Sequence, residues 1–344
     1  GNYILTNLKA IGYIVVAATG GKIGFAQGII ILSLIMVIYE TLGGMRSVAW
    51  TDVIQGVILL LGVILIFIVI QIEYGGMVTS ADIIKSNNPK FFIPPDWTEK
   101  RLWLSTIGLA FFGISVYPHA IQRIYAAKDE STLKRSLQIM VFMPLVTTMF
   151  MVVVGWVGLA QFPALDRQGS EQITIMMLQD ISTKIPAMGI MIVLFLSAAV
   201  AAIMSTVDSA LLAISSMVTK DLWGRLQPDK SQGELIRLGK IISWLVMGMA
   251  VFLAIELPQT IWRLMEIKLE LLCQIAPAIF LGLHIKRLRS TAVLAGVITG
   301  ALTAIIIILH PVLPARPWGI HAGMWGLIAN VSVLGMCQFR FQNN

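Results

Sequence analysis

The sequence predicts an all-α integral membrane protein of about ten transmembrane helices. Three observations carry that prediction. Of the 344 residues, 57% are hydrophobic and only 12% are charged, about half the charged share of a soluble domain. The chain contains repeated apolar runs long enough to cross a hydrocarbon core of about 30 Å. Those runs are continuous rather than alternating, which favours helices over a barrel.

The apolar segments run over 3–18, 24–42, 48–72, 102–122, 137–161, 187–218, 236–256, 264–284, 291–309 and 320–338. The first opens the chain: GNYILTNLKA begins inside a helix, without Met or the basic start of a signal peptide. A chain lacking its natural N-terminus is therefore expected. The 187–218 run exceeds what a bilayer needs, so it is expected to tilt, kink or extend into water. The two longest loops, 73–101 and 162–186, carry Pro, Asn and Asp and read as solvated caps. The frequent Gly, 29 in all, suits close helix packing in lipid. The larger share of the 25 Lys and Arg falls in loops after the even-numbered segments, including Arg46, Lys128, Arg225 and Arg287. That bias places the C-terminus in the cytoplasm, in a multi-pass plasma (inner) membrane protein. A single transporter-like domain over 1–344 is expected, with the lipid bilayer as its partner.

Several function classes drop out. The net charge of +7 comes from short interhelical loops, so it does not point to nucleic acid. Cys273 and Cys337 lie apart in apolar segments and imply no disulfide framework. The four His show no metal-ligand spacing. No nucleophile–base–orienter set and no phosphate-binding glycine loop is visible, so an enzyme is not expected, nor an organic cofactor or an obligate protein partner.

Polar groups interrupt the apolar pattern in four places. Trp50-Thr51-Asp52 follows ETLGGMRSVA at a helix start, where Asp52 reads either as an interfacial acid on the helix dipole or as a functional group. In AAIMSTVDSALLAISS, positions 202, 205, 206 and 209 share one helical face, with Asp208 on its edge. Ser and Thr in membrane helices often bond back to the preceding turn, and Ser215 and Ser216 are read that way. Asp208 differs: an ionised carboxylate near mid-membrane costs about 2.5–3.5 kcal/mol even on the lenient scale. Neutral oxygens with one carboxylate suit a hard monovalent cation or a proton, and a structural polar pair is the alternative. Pro118 in GISVYPHAIQR bends its helix, as a simple kink or as part of a binding site. In RLMEIKLELLCQIAP, Glu266, Lys268 and Glu270 enter an apolar segment from its end, and read as snorkelling groups or as an outer gate.

ETLGGMRSVAWTDVIQG, GISVYPHAIQRIYAAKDESTLKRS and AAIMSTVDSALLAISSMVTKDLW together resemble the sodium:solute symporter family. APAIFLGLHIKRLRSTAVLAGVITGALT followed by GIHAGMWGLIANV extends the likeness to the C-terminus. The resemblance implies a partial LeuT-type fold of two five-helix inverted repeats. On that frame 1–72 is the remainder of the first repeat, 102–284 the second repeat, and 291–338 two accessory helices. The leading core helix, which supplies half of the family's sodium site, is absent from the matched order.

Carried over by residue, the resemblance gives Ala202 a carbonyl role and Ser205 and Thr206 hydroxyl roles in a Na⁺ site. It pairs Asp52 with Asp208 and Ser209 in a second cation or proton site. Asp at 208, where some two-sodium members have Ser, puts the number of coupling ions in question, because two nearby carboxylates require a cation, a proton or separation. The solute gate falls at Phe111, Phe112, Ser115 and Tyr117; Ala110 and Ile114 stand where proline carriers have aromatic residues, which argues against a proline carrier. The implied function is Na⁺-coupled secondary symport of a small organic solute by alternating access. The alternative is a symporter-like membrane sensor domain; the chain ends at CQFRFQNN soon after its last helix, which favours the transporter. A chain short of its leading helices that transports nothing is a third possibility.

Overall fold

The structure is a computed structural model. It describes residues 2–166, 169–185, 188–227, 229–285, 287–310, 314 and 316–340, apart from the side chains at 43–52, 123, 191 and 340. Among these residues there are helices and turns and no strand. Among the described residues, seven helical stretches are long and apolar enough to cross a membrane: Phe25–Leu42, Val53–Glu73, Glu130–Gln161, Met188–Leu226, Gln232–Glu256, Ser290–Leu309 and Ala322–Phe339. Two of the other expected spans, 102–122 and 264–284, are broken helices, and the segment 3–18 is the 17-residue helix α1 (Asn2–Ala18).

The chain forms two compact units. The first comprises Gly1–Ile93 and Ile124–Ile261. After α1 come α2 (Phe25–Glu73), α3 (Gly76–Asn87), α6 (Glu130–Gln161), α7 (Ile173–Lys184), α8 (Met188–Ser216), a π-helical turn (Met217–Trp223), α9 (Gly224–Leu226) and α10 (Gln232–Glu256). The second unit comprises Pro94–Arg123 and Trp262–Asn344. It holds α4 (Trp97–Ile114), most of α5 (Pro118–Tyr125), α11 (Ile261–Leu272) beyond its first residue, α12 (Ala276–His284), α13 (Ser290–Leu309) and α14 (Ala322–Arg340).

Helix starts follow local chemistry. Asp96 and Ser231 form capping boxes with Glu99 and Glu234, and Asp129 accepts from Thr132 N at 2.7 Å. These caps start α6 and α10 earlier than the apolar runs alone predict. The expected break at 43–47 is absent: α2 is one helix of 49 residues. Gly43-Gly44 weakens a helix by about 1 kcal/mol per residue, and no Pro follows to stop it. At 1.5 Å per residue α2 is more than twice as long as the bilayer core is thick, and it contains two candidate spans.

In the first unit, Ile66, Ile70 and Tyr74 of α2 pack with Val154 and Val157 of α6 and Met177, Leu178 and Ile181 of α7. Tyr74 donates to Asp180 Oδ2 at 2.7 Å, and Lys184 does the same at 2.7 Å. These two donors, Lys184 first, hold the Asp180 carboxyl below its usual range. Helix α8 packs against α1 and α2, and α10 packs against α1, α2 and α8. Buried Lys9 of α1 donates to Leu257 O and Gln259 O, covering carbonyls just past α10.

In the second unit α13 and α14 run antiparallel at close range. A Cβ on Gly300 would lie 2.3 Å from Gln274 Oε1 and 2.7 Å from Gly326 O, and one on Gly296 2.8 Å from Asn330 O. Gly296 and Gly300 are four residues apart on one face, the small-residue spacing that lets membrane helices touch. Gly300→Ala is expected to lower the melting temperature in detergent, with an overpacking cost of about 1–3 kcal/mol. Gly335→Ala, whose added methyl meets nothing within 4 Å, should not.

Candidate functional site

The polar stripe of α8 lies inside the first unit. Ala202, Ser205 and Thr206 are half-buried, whereas Asp208 is 1% exposed and Ser209 is buried. Thr206 Oγ1 donates to Ala202 O at 2.9 Å, and Ser209 Oγ donates to Ser205 O at 3.0 Å. Back-bonding therefore applies to Thr206 and Ser209, not only to Ser215 as expected. It does not disqualify them as ligands. A hydroxyl that donates its proton still presents lone pairs, and the Thr206 hydroxyl and Ala202 carbonyl are close enough for both to touch one cation. The donor set is all oxygen, half-buried and next to a carboxylate, which fits Na⁺.

Asp208 has a partner that sequence reasoning missed. The hydroxyl of Tyr39, on α2, donates to Asp208 Oδ2. The expected partner, Asp52, lies outside the residues whose side chains are described. Glu40, beside Tyr39, is also buried, and its Oε1 accepts from Ser243 of α10 at 3.4 Å. The YE pair gave no periodic signal, because a carboxylate at the end of an apolar run ordinarily faces water.

The four residues expected at the solute gate lie in the second unit, around a broken helix. α4 ends at Ile114 and α5 begins at Pro118, so the backbone departs from helix over Ser115–Tyr117, as Pro118 predicts. Phe111 is 60% exposed and stacks on Phe280 with ring centroids 6.2 Å apart. Phe112 meets Phe111 edge-on at 5.0 Å. Ser115 Oγ donates to Phe111 O at 2.5 Å. Tyr117 stacks on His119 at 5.1 Å, and Lys268 Nζ sits 5.2 Å from the Tyr117 ring centre. The structure thus gathers Phe111 and Phe112 around Phe280, and turns Tyr117 to a different set of neighbours.

A second break was not expected. The segment 264–284 divides into α11 and α12 at a 3₁₀ turn, Cys273–Ile275. Its charged residues do not snorkel: Glu266, Lys268 and Glu270 are all buried. Glu266 accepts from Trp262 Nε1 at 2.8 Å, Arg263 at 3.1 Å and Arg316 at 2.5 Å. Glu270 lies 3.3 Å from His321 Nδ1 and 3.6 Å from Arg263. His321 Nε2 is 3.0 Å from Thr106 Oγ1, and His321 N donates to Ser105 Oγ at 3.3 Å. Arg263 is local, but Arg316 and His321 stand some 50 residues along the chain, so the local sequence suggested solvation where the fold supplies partners for both glutamates.

Comparisons with known proteins agree with this architecture. Residues 11–300 match the sodium:solute symporter family. The osmoregulated proline transporter OpuE of Bacillus subtilis is 30% identical over 89% of this chain and 62% of its own length. The sodium/pantothenate symporter of Haemophilus influenzae is 26% identical over 88% of this chain and 64% of its own. The chain thus spans less than two thirds of these relatives. A solved Na⁺-coupled sialic acid symporter, in a substrate-bound outward-open state, superposes with a TM-score of 0.70 at 23% identity, covering 97% of this chain and 71% of that one. That likeness is one of fold, the LeuT-type all-α membrane fold. The matched relatives are transporters rather than enzymes, and the sensor reading finds no support among them. The chain is an integral membrane protein and belongs to the sodium:solute symporter family.

Proposed function

We propose that this chain carries out Na⁺-coupled symport of a small organic solute by alternating access, in a multi-pass plasma (inner) membrane orientation with the C-terminus in the cytoplasm. The observation that supports this best is the oxygen stripe of α8: the Ala202 carbonyl and Thr206 hydroxyl 2.9 Å apart, beside a buried carboxylate. Ala202, Ser205 and Thr206 hold the Na⁺. Asp208, Ser209 and Asp52 form the second cation or proton site, with Tyr39 as the hydroxyl that orients Asp208. Phe111, Phe112, Ser115 and Tyr117 border the solute path at the α4–α5 break. The segments 1–72 and 102–284 act as the two repeats that rock against each other, with 291–338 as accessory helices. Na⁺ bound to one state shifts the population toward it, so its gradient drives solute uptake.

The test is uptake of a panel of labelled solutes into proteoliposomes, with and without a Na⁺ gradient. Some solute should show Na⁺-stimulated uptake, and Ser205→Ala with Thr206→Ala should reduce that stimulation at least tenfold. Uptake whose Na⁺ dependence survives the double substitution would overturn the site assignment.

A further inference from the structure

The polar stripe of α8 does not stop at Asp208. Asp208, Ser215 and Thr219 recur at helical spacing, with Leu212 between the first two, and continue one face into the π-helical turn. About two turns along from Asp208 that face opens on a cavity of about 380 Å³, bounded by α2, α8, the π turn and α10. Ser215, Thr219 and Ser243 line it and are buried. Glu40 lines it too and is 4% exposed. Its Oε1 has only the long 3.4 Å bond from Ser243, and its Oε2 has no hydrogen-bond partner among the described residues. Lys220 and Lys240 are also among the lining residues, both exposed, and Lys240 is near enough to act on Glu40 electrostatically.

A buried carboxylate oxygen without a donor is costly and calls for one. The charges around it choose the ligand. Two lysine heads repel a bare cation, and a buried carboxylate repels a bare anion. A molecule with an ammonium at one end and an acidic group at the other satisfies all three, through charge-assisted hydrogen bonds. The volume falls in the range of about 300–1,000 Å³ typical of small-molecule sites. Single π turns recur at functional sites, and this one carries Thr219 and Lys220.

We infer that this cavity is a binding subsite for a zwitterion, its ammonium on Glu40 and its acidic group on Lys240, with Lys220 beside it. The inference rests on the transport reading above and narrows the solute to amino-acid-like molecules. A phosphatidylethanolamine headgroup carries the same chemistry, so the test separates the two sources.

The purified chain in detergent is titrated with L-alanine, L-proline, glycine betaine (an ammonium without N–H) and pantothenate (an acid without an ammonium). At least one of the two amino acids should bind saturably, at least tenfold more weakly in Glu40→Gln and in Lys240→Met, and less impaired in Glu40→Asp. Betaine and pantothenate should not compete. In a second arm, native mass spectrometry compares retention of phosphatidylethanolamine with that of phosphatidylcholine. Preferential, Glu40-dependent retention would support the zwitterion site and assign it to lipid. Failure of both arms, or binding indifferent to Glu40→Gln and Lys240→Met, overturns the inference; Lys240 is exposed, so its variant is expected to fold. Uptake separates the two readings. Na⁺-stimulated uptake that persists while cavity binding is absent sinks the subsite alone. Cavity binding that persists without any Na⁺-stimulated uptake sinks the transport reading.

Discussion

Asp208→Asn should leave the protein folded and raise the Na⁺ concentration for half-maximal uptake by tenfold or more. The substitution keeps the shape and leaves an acceptor for the Tyr39 hydroxyl, which now bonds the carboxylate. What it removes is the charge. A buried carboxylate at 1% exposure is expensive in the apo state and is neutralised when a cation binds beside it. Two measurable consequences follow. Without Na⁺ the variant should melt no lower than the wild type, because an unfavourable buried charge has gone. The stabilisation that added Na⁺ gives the wild type, about 2.7 kcal/mol at a hundredfold excess over Kd, should largely vanish. Tyr39→Phe is the contrasting variant. It keeps the charge but removes a donor, so it should cost about 1–3 kcal/mol in stability while preserving the Na⁺ response. If Asp208→Asn instead keeps the Na⁺ response and only Tyr39→Phe does damage, Asp208 is a structural polar group and no part of a cation site.

The legible and illegible parts of this fold divide along chemical lines. The helical class followed from continuous apolar runs, and the break before Pro118 followed from a missing N–H and a ring that cannot continue the helix. The α8 stripe was visible because its oxygens repeat at helical spacing within one element. The Tyr39–Asp208 bond was not, since it joins residues 169 apart and Tyr39 sits in an ordinary apolar run. Glu266 and Glu270 misled for a related reason. A charge near the end of an apolar segment is usually solvated, and here Arg316 and His321 arrive from far along the chain to join Arg263 around the buried carboxylates. The split at Cys273–Ile275 carried a weak signal in Pro277, which suits the first turn of α12 and so marks a restart as well as a kink. The continuity of α2 was not legible because the apolar runs 24–42 and 48–72 are separated by a polar, Gly-containing stretch, although two glycines alone do not stop a helix.

Glu270→Ala should destabilise the second unit by about 3 kcal/mol, the cost of leaving buried His321 and half-buried Arg263 without the carboxylate they face. His321 links Glu270 to α4: its Nδ1 lies 3.3 Å from Glu270 Oε1 and its Nε2 3.0 Å from Thr106 Oγ1, while Arg263 lies 3.6 Å from Glu270. Alanine at 270 removes that anchor between α11 and the start of α14, and the melting temperature in detergent should fall by several degrees. Glu270→Gln retains size and an acceptor, so its loss should be smaller. The double variant Glu270→Met/His321→Leu removes both partners at once and should recover part of the deficit, because an apolar pair of similar volume tolerates burial where a widowed ion does not. A melting temperature unchanged in Glu270→Ala would mean that His321 and Arg263 are solvated in the folded protein, and the buried network would then have no part in holding α11 to α14.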